Sequence, residues 1–336
     1  MMHPLISIVV PVYNLVDRVK FMIDSLLKQD YGELEIILVN DASTDSSLMC
    51  MEEIVSTNVK CNIHIINHNK NKGVSAARNT GLKTAKGDYV IFVDGDDMVE
   101  TNFVSVLYET ISKNNSDMVS CGYRTIEIKR GTKEEHPLTV PANISDIDLI
   151  KGRILNKIEV SHWATLFRKD FLLENNLFYE EGCTAGEDIE FIIKVLCRSK
   201  KVSFVKDCLY IYVQHDNMGS RKEIKNNEKK IERYLHHTEA HFREAEYIKK
   251  YTKNKTLYTL AEYMILPQAY LRMLSVCAMK NDRDKFDSMR RSQSVKDVLL
   301  NSYRSFLYKP EVFLRACVVF FLPNVYYSKY RHYLND

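Results

Sequence analysis

Alternation between two hydrophobic periods over the first 125 residues limits the possible folds of this chain more than any other feature. Apolar, β-branched runs predict strands at 6–12, 35–40, 62–67, 88–94 and 117–123. Helical patterns lie between them at 15–29, 45–57, 74–86 and 100–113. Near-continuous apolar strands separated by such helices are typical of a parallel sheet covered on both faces. We therefore expect a mostly parallel, doubly wound α/β sheet with its ligand at the carboxyl ends of the strands.

The pattern becomes less regular after this sheet. Residues 126–140 are charged and irregular, which is typical of a loop or hairpin. Helices are predicted at 145–156 and 186–199, with a strand at 201–215. A turn-rich, charged stretch at 216–225 then precedes amphipathic helices. We expect a first domain at 1–220 and a helical C-terminal region at 221–336.

The charge distribution distinguishes these two parts. Residues 221–336 contain 23 Lys and Arg against 13 Asp and Glu, a balance of +10 that leaves −7 for 1–220, since the whole chain carries +3. The segment 311–333 combines an apolar run with tyrosines and basic residues, and it is too short to span a bilayer. Two interpretations stay open: a helix at a membrane interface, or a C-terminal helix packed on the core.

Two features of the sequence, its cysteines and its first residues, indicate a cytoplasmic location. The eight cysteines are scattered without a CxxC spacing, which favours reduced thiols over disulfides or structural zinc. The start, MMHPLISIVVPVYN, lacks the basic residues and cleavage site of a signal peptide. We expect a cytoplasmic protein.

Three carboxylates crowd the end of the fourth predicted strand, at Asp94, Asp96 and Asp97, with Gly95 among them. A divalent cation best explains such crowding, because hard cations take several oxygen ligands and cancel the repulsion. Asp94 and Asp96 would share one side if strand geometry persists. The alternative is a solvated polar loop, since DxD is a weak pattern.

Two further residues lie where the same sheet edge is expected. Asp41 follows the second strand, where a carboxylate can accept hydrogen bonds from a ribose or base. Arg78 lies on the helix that precedes the acidic strand and suits a phosphate or a nearby carboxylate. The sequence lacks GxGxxG after its first strand and GxxxxGK[ST] anywhere, which disfavours a dinucleotide cofactor and a P-loop ATPase.

Five motifs in order resemble those of family 2 glycosyltransferases, which are inverting enzymes of the GT-A fold. They are PVYN, the Asp41 segment VNDASTDSS, GVSAARNTG, YVIFVDGDD and GEDIEF, and the resemblance covers roughly residues 5–215. It is strongest to the bacterial group that builds capsular, O-antigen, exopolysaccharide or teichoic-acid chains. The resemblance implies a nucleotide-sugar-binding GT-A domain with an α-helical C-terminal extension.

The resemblance also implies roles for individual residues. Those that would bind the donor are Pro11, Tyr13, Asn14, Asp41, Arg78, Asp94, Gly95 and Asp96. Asp188 would be the catalytic base with Glu187 beside it. Asp96 and Asp94, with His215, would hold Mn²⁺ or Mg²⁺.

Acceptor contacts are predicted at Trp163 and Asp97. Trp163 either stacks on an acceptor sugar or fills the core, and Thr165 replaces the lysine common in related sequences, which leaves that lysine's role open here.

These observations predict an inverting, metal-dependent glycosyltransferase (a hexosyl- or N-acetylhexosaminyltransferase) that uses a nucleotide sugar, most often UDP-linked. The acceptor would be a glycan or lipid-linked glycan, with peripheral attachment to the inner membrane surface through 311–333 and no nucleic-acid partner. Two alternatives remain. A nucleotidyltransferase is disfavoured because PVYNLVDRVK lacks a glycine-rich loop. A non-catalytic binding protein is disfavoured by the intact carboxylates at Asp41, Asp94, Asp96 and Asp188.

Overall fold

The computed structural model describes residues 3–58, 62–215 and 227–331, which form two compact units. The first unit comprises residues 1–146, 156–182 and 198–222, and the second comprises 147–155, 183–197 and 223–336. The second unit therefore takes two short segments from within the first 200 residues of the chain.

The first unit is built on one nine-stranded sheet. Its strands are β1 Ile6–Val12, β2 Leu34–Asn40, β3 Ile63–Asn67, β4 Tyr89–Phe92, β5 Met98–Val99, β6 Met118–Glu127, β7 Thr132–His136, β8 Thr165–Arg168 and β9 Val202–Gln214. They lie in the order β3-β2-β1-β4-β8-β6-β9-β5, and β7 pairs with β6. Strands β3, β2, β1 and β4 are mutually parallel, as are β6 and β9. The predicted α/β sheet is confirmed.

The parallel half of the sheet lies in the interior because its central strands are apolar. Every residue of β1 is buried, and six of the seven residues of β2 are buried. The helices of this unit are α1 Val19–Leu27, α2 Ser47–Thr57, α3 Val74–Thr84, α4 Phe103–Asn114 and α6 Lys169–Glu174. Helices α1 and α4 present an apolar stripe to the core, with Met22 and Leu107 fully buried. Strands buried on both faces need such helices, because water cannot cover apolar side chains favourably.

The other half of the sheet contains antiparallel pairs, of which the sequence pattern indicated only a possible hairpin at 126–140. Strand β8 lies between β4 and β6 and is antiparallel to both. The charged stretch predicted as a loop or hairpin forms the end of β6 and all of β7, which pair in register from Tyr123↔His136 to Glu127↔Thr132. β7 is exposed over four of its five residues, so its sequence lacks the alternation that marks a half-buried strand.

The second unit is helical. Its helices are α5 Asp146–Ile154, α7 Glu187–Arg198, α8 Asn227–Tyr251, α9 Lys255–Leu260, α10 Leu266–Met279, α11 Arg283–Arg291, α12 Gln293–Leu300, α13 Pro310–Phe321 and α14 Pro323–Arg331, of which α5 and α7 extend one residue past the unit's limits. A turn of π-helix joins α9 to α10 at Ala261–Ile265. The amphipathic helices predicted beyond residue 226 are confirmed.

The segment predicted at 311–333 forms most of α13 and all of α14, with 332–333 outside the described residues, and one face of it packs on this unit's core. Val312, Ala316, Val319 and Tyr326 lie in a buried cluster with α10 residues such as Leu274. The other face leaves Phe321 78% exposed. Among the residues that the structure describes, no helix has the length and apolar character needed to cross a membrane.

Candidate active site

The loop from Asp94 to Asp97 connects β4 to β5 and presses closely against the end of β1. A Cβ atom on Gly95 would lie 2.7 Å from the carbonyl oxygen of Pro11 and 2.7 Å from Cδ1 of Leu15. Backbone atoms cannot yield to such a contact, so glycine is required here for close approach. Gly95 thus sets the position of the carboxylates on either side of it.

Asp94 is held by a buried arginine. Arg78 on α3 donates from Nη2 to Oδ1 of Asp94 at 2.7 Å, and its guanidinium lies 5.1 Å from the centre of the Tyr179 ring. Burial raises the pKa of Asp94, but the charges of Arg78 and His162 outweigh it and leave this pKa below its usual value. The structure therefore brings together the predicted pair Arg78 and Asp94, and the carboxylate is ionised.

Asp96 has a different environment from Asp94. Its side chain is 23% exposed, and its Oδ2 lies 3.7 Å from Nη1 of Arg18, a weak ion pair. Burial and then the charge of Asp94 raise the pKa of Asp96 to about 6, although Arg18 opposes this rise. A carboxylate with this pKa gains from a cation placed against it.

His215 lies near Asp96, at the end of β9. Its imidazole hydrogen-bonds to the backbone of Asp96, while burial and the nearby Arg18 lower the pKa of His215. Among the described residues, no group of three or more His, Cys, Asp or Glu side chains is arranged to hold a metal ion. Arg78 engages Asp94 and the His215 ring hydrogen-bonds to backbone, and the predicted metal ligation by Asp94, Asp96 and His215 stays a prediction.

Asp97 points into the protein. It is 1% exposed, and it accepts hydrogen bonds from the Tyr210 hydroxyl at 2.7 Å and from the Val213 N–H at 2.8 Å. Burial, followed by the charges of Asp96 and Asp94, raises the pKa of Asp97 well above its usual value. The Tyr210 hydroxyl also accepts from the Asp94 N–H at 3.2 Å. Asp97 therefore joins the loop to β9 and presents no exposed carboxylate for the predicted acceptor contact.

Asp41 is buried at the carboxyl end of β2 and fixes the start of α3. Its carboxylate accepts from the N–H groups of Lys72 and Gly73 at 2.9 and 2.8 Å, and it contacts Nδ1 of His68 at 2.7 Å. Gly73 adopts φ 89°, a conformation that favours glycine. Asp41 thereby positions the helix that carries Arg78.

The PVYN residues occupy three different environments. Pro11 is buried within β1, whereas Tyr13 is 45% exposed. Asn14 has a left-handed φ of 54°, and its Oδ1 accepts from the Thr44 N–H at 2.8 Å. Asn14 thus orders the turn that follows β2, and the exposed Tyr13 ring lies next to it in sequence.

Glu187 and Asp188 begin α7 and belong to the helical unit. They follow Gly186, which has a φ of 84°, and Oδ1 of Asp188 accepts from the Ile189 N–H at 2.8 Å. Acids in a first helical turn complement the helix dipole. Burial and nearby arginines lower the pKa of His237 to about 4 despite the opposing charge of Asp188.

Trp163 lies within a short 3-10 turn at His162–Ala164, and Thr165 is the first residue of β8. The Trp163 ring is partly buried, 4.5 Å from the Tyr210 ring and parallel to Tyr212 at 6.0 Å. Thr165 is fully buried, and its hydroxyl donates to the Ser161 carbonyl at 2.7 Å and lies 2.9 Å from the Ser120 hydroxyl. Thr165 therefore has a structural role, and it cannot replace a lysine that reaches a ligand.

Comparisons with known proteins agree with this architecture. The sequence profile "Glycosyl transferase family 2" matches residues 7–175, half of the chain. The chain belongs to this family. EpsJ of Bacillus subtilis strain 168, an uncharacterized glycosyltransferase, is 33% identical over 64% of this chain and 63% of its own length. The chain spans about three fifths of the length of this and of a second curated relative.

Solved structures resemble this family 2 chain in fold. S. aureus TarS 1–349 in complex with UDP-GlcNAc superposes with a TM-score of 0.68 at 19% identity, covering 98% of this chain and 90% of TarS 1–349. The mannosyltransferase PcManGT from Pyrobaculum calidifontis, in complex with GDP-Man and Mn²⁺, gives a TM-score of 0.53 at 16% identity, covering 96% and 88%. The predicted GT-A fold with a helical C-terminal region is confirmed.

Two residues of this family 2 site were not identified from the sequence. Arg18 faces Asp96, and Tyr210 bridges Asp94 and Asp97 across more than 110 positions of the chain. Arg18 follows PVYN by four residues, so its position shortly after the first strand could have indicated that it lies near the site. Tyr210 lies in an aromatic strand, YIYV, without any local sign of its contact.

Proposed function

We propose that this chain is an inverting, metal-dependent glycosyltransferase. It moves a sugar from a nucleotide donor, UDP-linked, to a hydroxyl of a glycan in bacterial cell-surface polysaccharide synthesis. One observation carries the proposal: Asp94 is neutralised by Arg78, whereas the adjacent Asp96 remains partly exposed with a pKa raised to about 6. This leaves one carboxylate that needs a cation, at the sheet edge where ligands of α/β folds bind.

Asp96 would hold Mn²⁺ or Mg²⁺, with His215 as a second candidate ligand. Sites of this kind use one or two protein carboxylates and complete the coordination with substrate phosphates and water. The ion supplies neutralisation of the charge that develops on the leaving diphosphate. The Mn²⁺ in PcManGT and the UDP-GlcNAc in TarS support these choices of metal and donor.

The chain's own residues do the remaining work in this proposal. Tyr13 holds the nucleotide end, Asp41 and Asn14 order the backbone around it, and Arg78 keeps Asp94 ionised beside the diphosphate. Asp188 accepts the proton from the acceptor hydroxyl, because a hydroxyl is a poor nucleophile until its proton is removed. One in-line displacement then inverts the anomeric carbon. Asp97 fixes the loop rather than contacting the acceptor.

Titration calorimetry with UDP and Mn²⁺ tests the donor and metal assignments. UDP should bind more weakly without Mn²⁺, and Asp96→Asn should remove that dependence, since the lost charge is the one that faces the cation. Asp30→Asn is a matched control at an exposed position of the same unit. If UDP affinity is unaffected by both Mn²⁺ and Asp96→Asn, the metal assignment is wrong.

Asp188→Asn separates catalysis from binding. The variant should bind UDP and Mn²⁺ as the parent does but transfer no sugar in a screen of nucleotide sugars, because Asn cannot accept the proton. Loss of both properties would instead show that Asp188 supports the fold.

We also propose that the domain of residues 1–220 performs transfer while the basic region 221–336 attaches the protein to the cytoplasmic face of the membrane, near a lipid-linked acceptor. Exposed apolar side chains support this, since Leu307 is 95% and Phe321 78% exposed. Interfacial helices bind through such side chains together with basic residues.

A double point variant tests attachment better than deletion, because α13 and α14 contribute to a buried core. Leu307→Ser with Phe321→Ser should reduce cosedimentation with anionic phosphatidylglycerol vesicles. The control is Phe21→Ser with Met49→Ser, which removes two apolar side chains that are 64% and 66% exposed on the other unit. Equal binding by all three proteins would refute attachment through this face.

A further inference from the structure

A cleft of about 530 Å³ lies on one face of the ribbon formed by β7, β6 and β9. Its lining follows from strand geometry, in which alternate residues share a face. Tyr123 and Glu127 of β6 lie on this face together with Glu134 of β7 and Tyr212 of β9. The register agrees, because Thr125 between them pairs with Glu134 on one side and with Tyr212 on the other.

Aromatic rings form one wall of this cleft. Tyr123 stacks on His136 at 4.5 Å and meets the edge of Trp163 at 5.0 Å, while Trp163 lies parallel to Tyr212. Rings locked against one another in this way form a rigid surface that costs little entropy to use. The electron-rich face of an aromatic ring attracts the slightly positive C–H edge of a sugar.

Acidic groups dominate the rest of the lining. Glu127, Glu134 and Glu159 contribute three carboxylates, and among the described lining residues Arg130, 3.5 Å from Glu127, is the one with a permanent positive charge. Glu159 also accepts from the Tyr123 hydroxyl at 3.1 Å. Carboxylates accept hydrogen bonds from sugar hydroxyls, but they repel phosphate, sulfate and other carboxylates.

The cleft is connected to the loop of Asp94 to Asp97 through a chain of contacting side chains. Trp163 packs on Tyr210, whose hydroxyl holds both Asp97 and the backbone of Asp94. Tyr210 also pairs in register with Tyr123 across β6 and β9. The strands that line the cleft are therefore joined through Trp163 and Tyr210 to the loop of the proposed donor site.

We propose that this cleft binds the acceptor, and that the acceptor's sugars there carry no phosphate, sulfate or carboxylate. That the bound glycan is the acceptor rests on the proposed function. The preference for uncharged sugars rests only on the residues that line the cleft. This preference for uncharged sugars distinguishes the chain from an enzyme that elongates a polyanionic polymer, because such a polymer would bring negative charge against three carboxylates.

Saturation-transfer NMR and titration calorimetry, without donor, test this preference. The neutral probes are maltotetraose, mannotetraose and chitotetraose; the anionic probes are tetragalacturonate and a heparin tetrasaccharide. We expect at least one neutral probe to bind and both anionic probes to bind more weakly. Failure of every neutral probe to bind, or equal affinity for the anionic ones, overturns the proposal.

Two variants locate the binding. Tyr212→Ala should weaken the neutral probe by about two- to tenfold, the range expected for one aromatic contact. Replacing Glu127, Glu134 and Glu159 together by Gln should raise affinity for tetragalacturonate while the fold is retained, because all three side chains are at least partly exposed. The controls are Tyr258→Ala and Glu109→Gln, at exposed positions outside the cleft. If the triple variant leaves the preference against tetragalacturonate unchanged, the acidic lining is not its cause and the proposal fails.

UDP binding with Mn²⁺, measured on the same samples, separates this inference from the proposed function. Retained UDP binding without any neutral glycan binding refutes the cleft alone. Glycan binding without UDP binding refutes the donor site instead.

Discussion

Replacing Gly95 by alanine tests whether close packing of the acidic loop on β1 is what positions its carboxylates. The new Cβ would lie 2.7 Å from the Pro11 carbonyl oxygen and 2.7 Å from Leu15 Cδ1, both closer than van der Waals contact. Leu15 can rotate away, but a carbonyl within the buried end of β1 cannot. The loop must therefore shift by several tenths of an ångström, and both Asp94 and Asp96 move with it.

The expected cost follows from this geometry. Overpacking of one methyl group against fixed neighbours destabilises a protein by about 1–3 kcal/mol. At about 2–4 °C per kcal/mol for a domain of this size, Tm should fall by about 2–12 °C. A displacement of this size at a charged site should also weaken UDP binding in the presence of Mn²⁺ by about tenfold.

Gly32→Ala is the matched control, because no atom lies within 4 Å of its added Cβ and its φ is not in the left-handed region. It should change stability by less than about 1 kcal/mol and leave UDP binding unaltered. Thermal denaturation followed by circular dichroism, with calorimetry for UDP, measures both. If Gly95→Ala matches Gly32→Ala in Tm and in UDP affinity, the close approach does not position this loop.

Three further perturbations have defined outcomes. Because the pKa of Asp96 is raised to about 6, and the terminal phosphate of UDP titrates in the same range, UDP affinity in the presence of Mn²⁺ should fall more steeply as pH drops through 6 in the parent than in Asp96→Asn, as measured by calorimetry. Burial raises the pKa of Glu244 in the helical unit from 4.5 to about 7, with Arg153 opposing it, so folding favours the protonated form. Stability should then decrease by at most about 3 kcal/mol as pH rises from 4.5 to 8, and Glu244→Gln should flatten that dependence in urea denaturation; a parallel decline in both proteins would contradict the assignment. Tyr210→Phe removes one hydroxyl from Asp97 and the Asp94 N–H without changing volume, so it should cost about 1–3 kcal/mol in urea denaturation, and an unchanged midpoint would show that water replaces the hydroxyl.

Strands and helices could be predicted wherever their burial produces a hydrophobic pattern in the local sequence. Strands β1, β2 and β4 are apolar because both faces are covered, and the predicted bounds of β1 to β4 lie within two residues of the observed ones. The sequence of β7 shows no such hydrophobic pattern, because β7 is exposed and its position depends on pairing with β6. The antiparallel insertion of β8 between β4 and β6 also depends on pairing between distant segments.

The residue types near the acidic loop were predictable from the sequence, but the different environments of its three aspartates were not. Adjacent aspartates indicated a cation, and Arg78 was expected near them. Nothing in VDGDD shows that Arg78 binds Asp94 or that Asp97 turns inward to Tyr210. Those contacts cross 16 and 113 positions of the chain and exist only once the sheet has formed.

The three carboxylates of this loop therefore do not repel one another as three equal charges. Arg78 compensates Asp94, and Asp97 is buried, with its two oxygens accepting from the Tyr210 hydroxyl and the Val213 N–H. Asp96 lies between them with a weak ion pair to Arg18 and a pKa of about 6. Under the proposed function, a cation that arrives with the donor's diphosphate would have the carboxylate of Asp96 to bind, and its binding would then depend on that diphosphate.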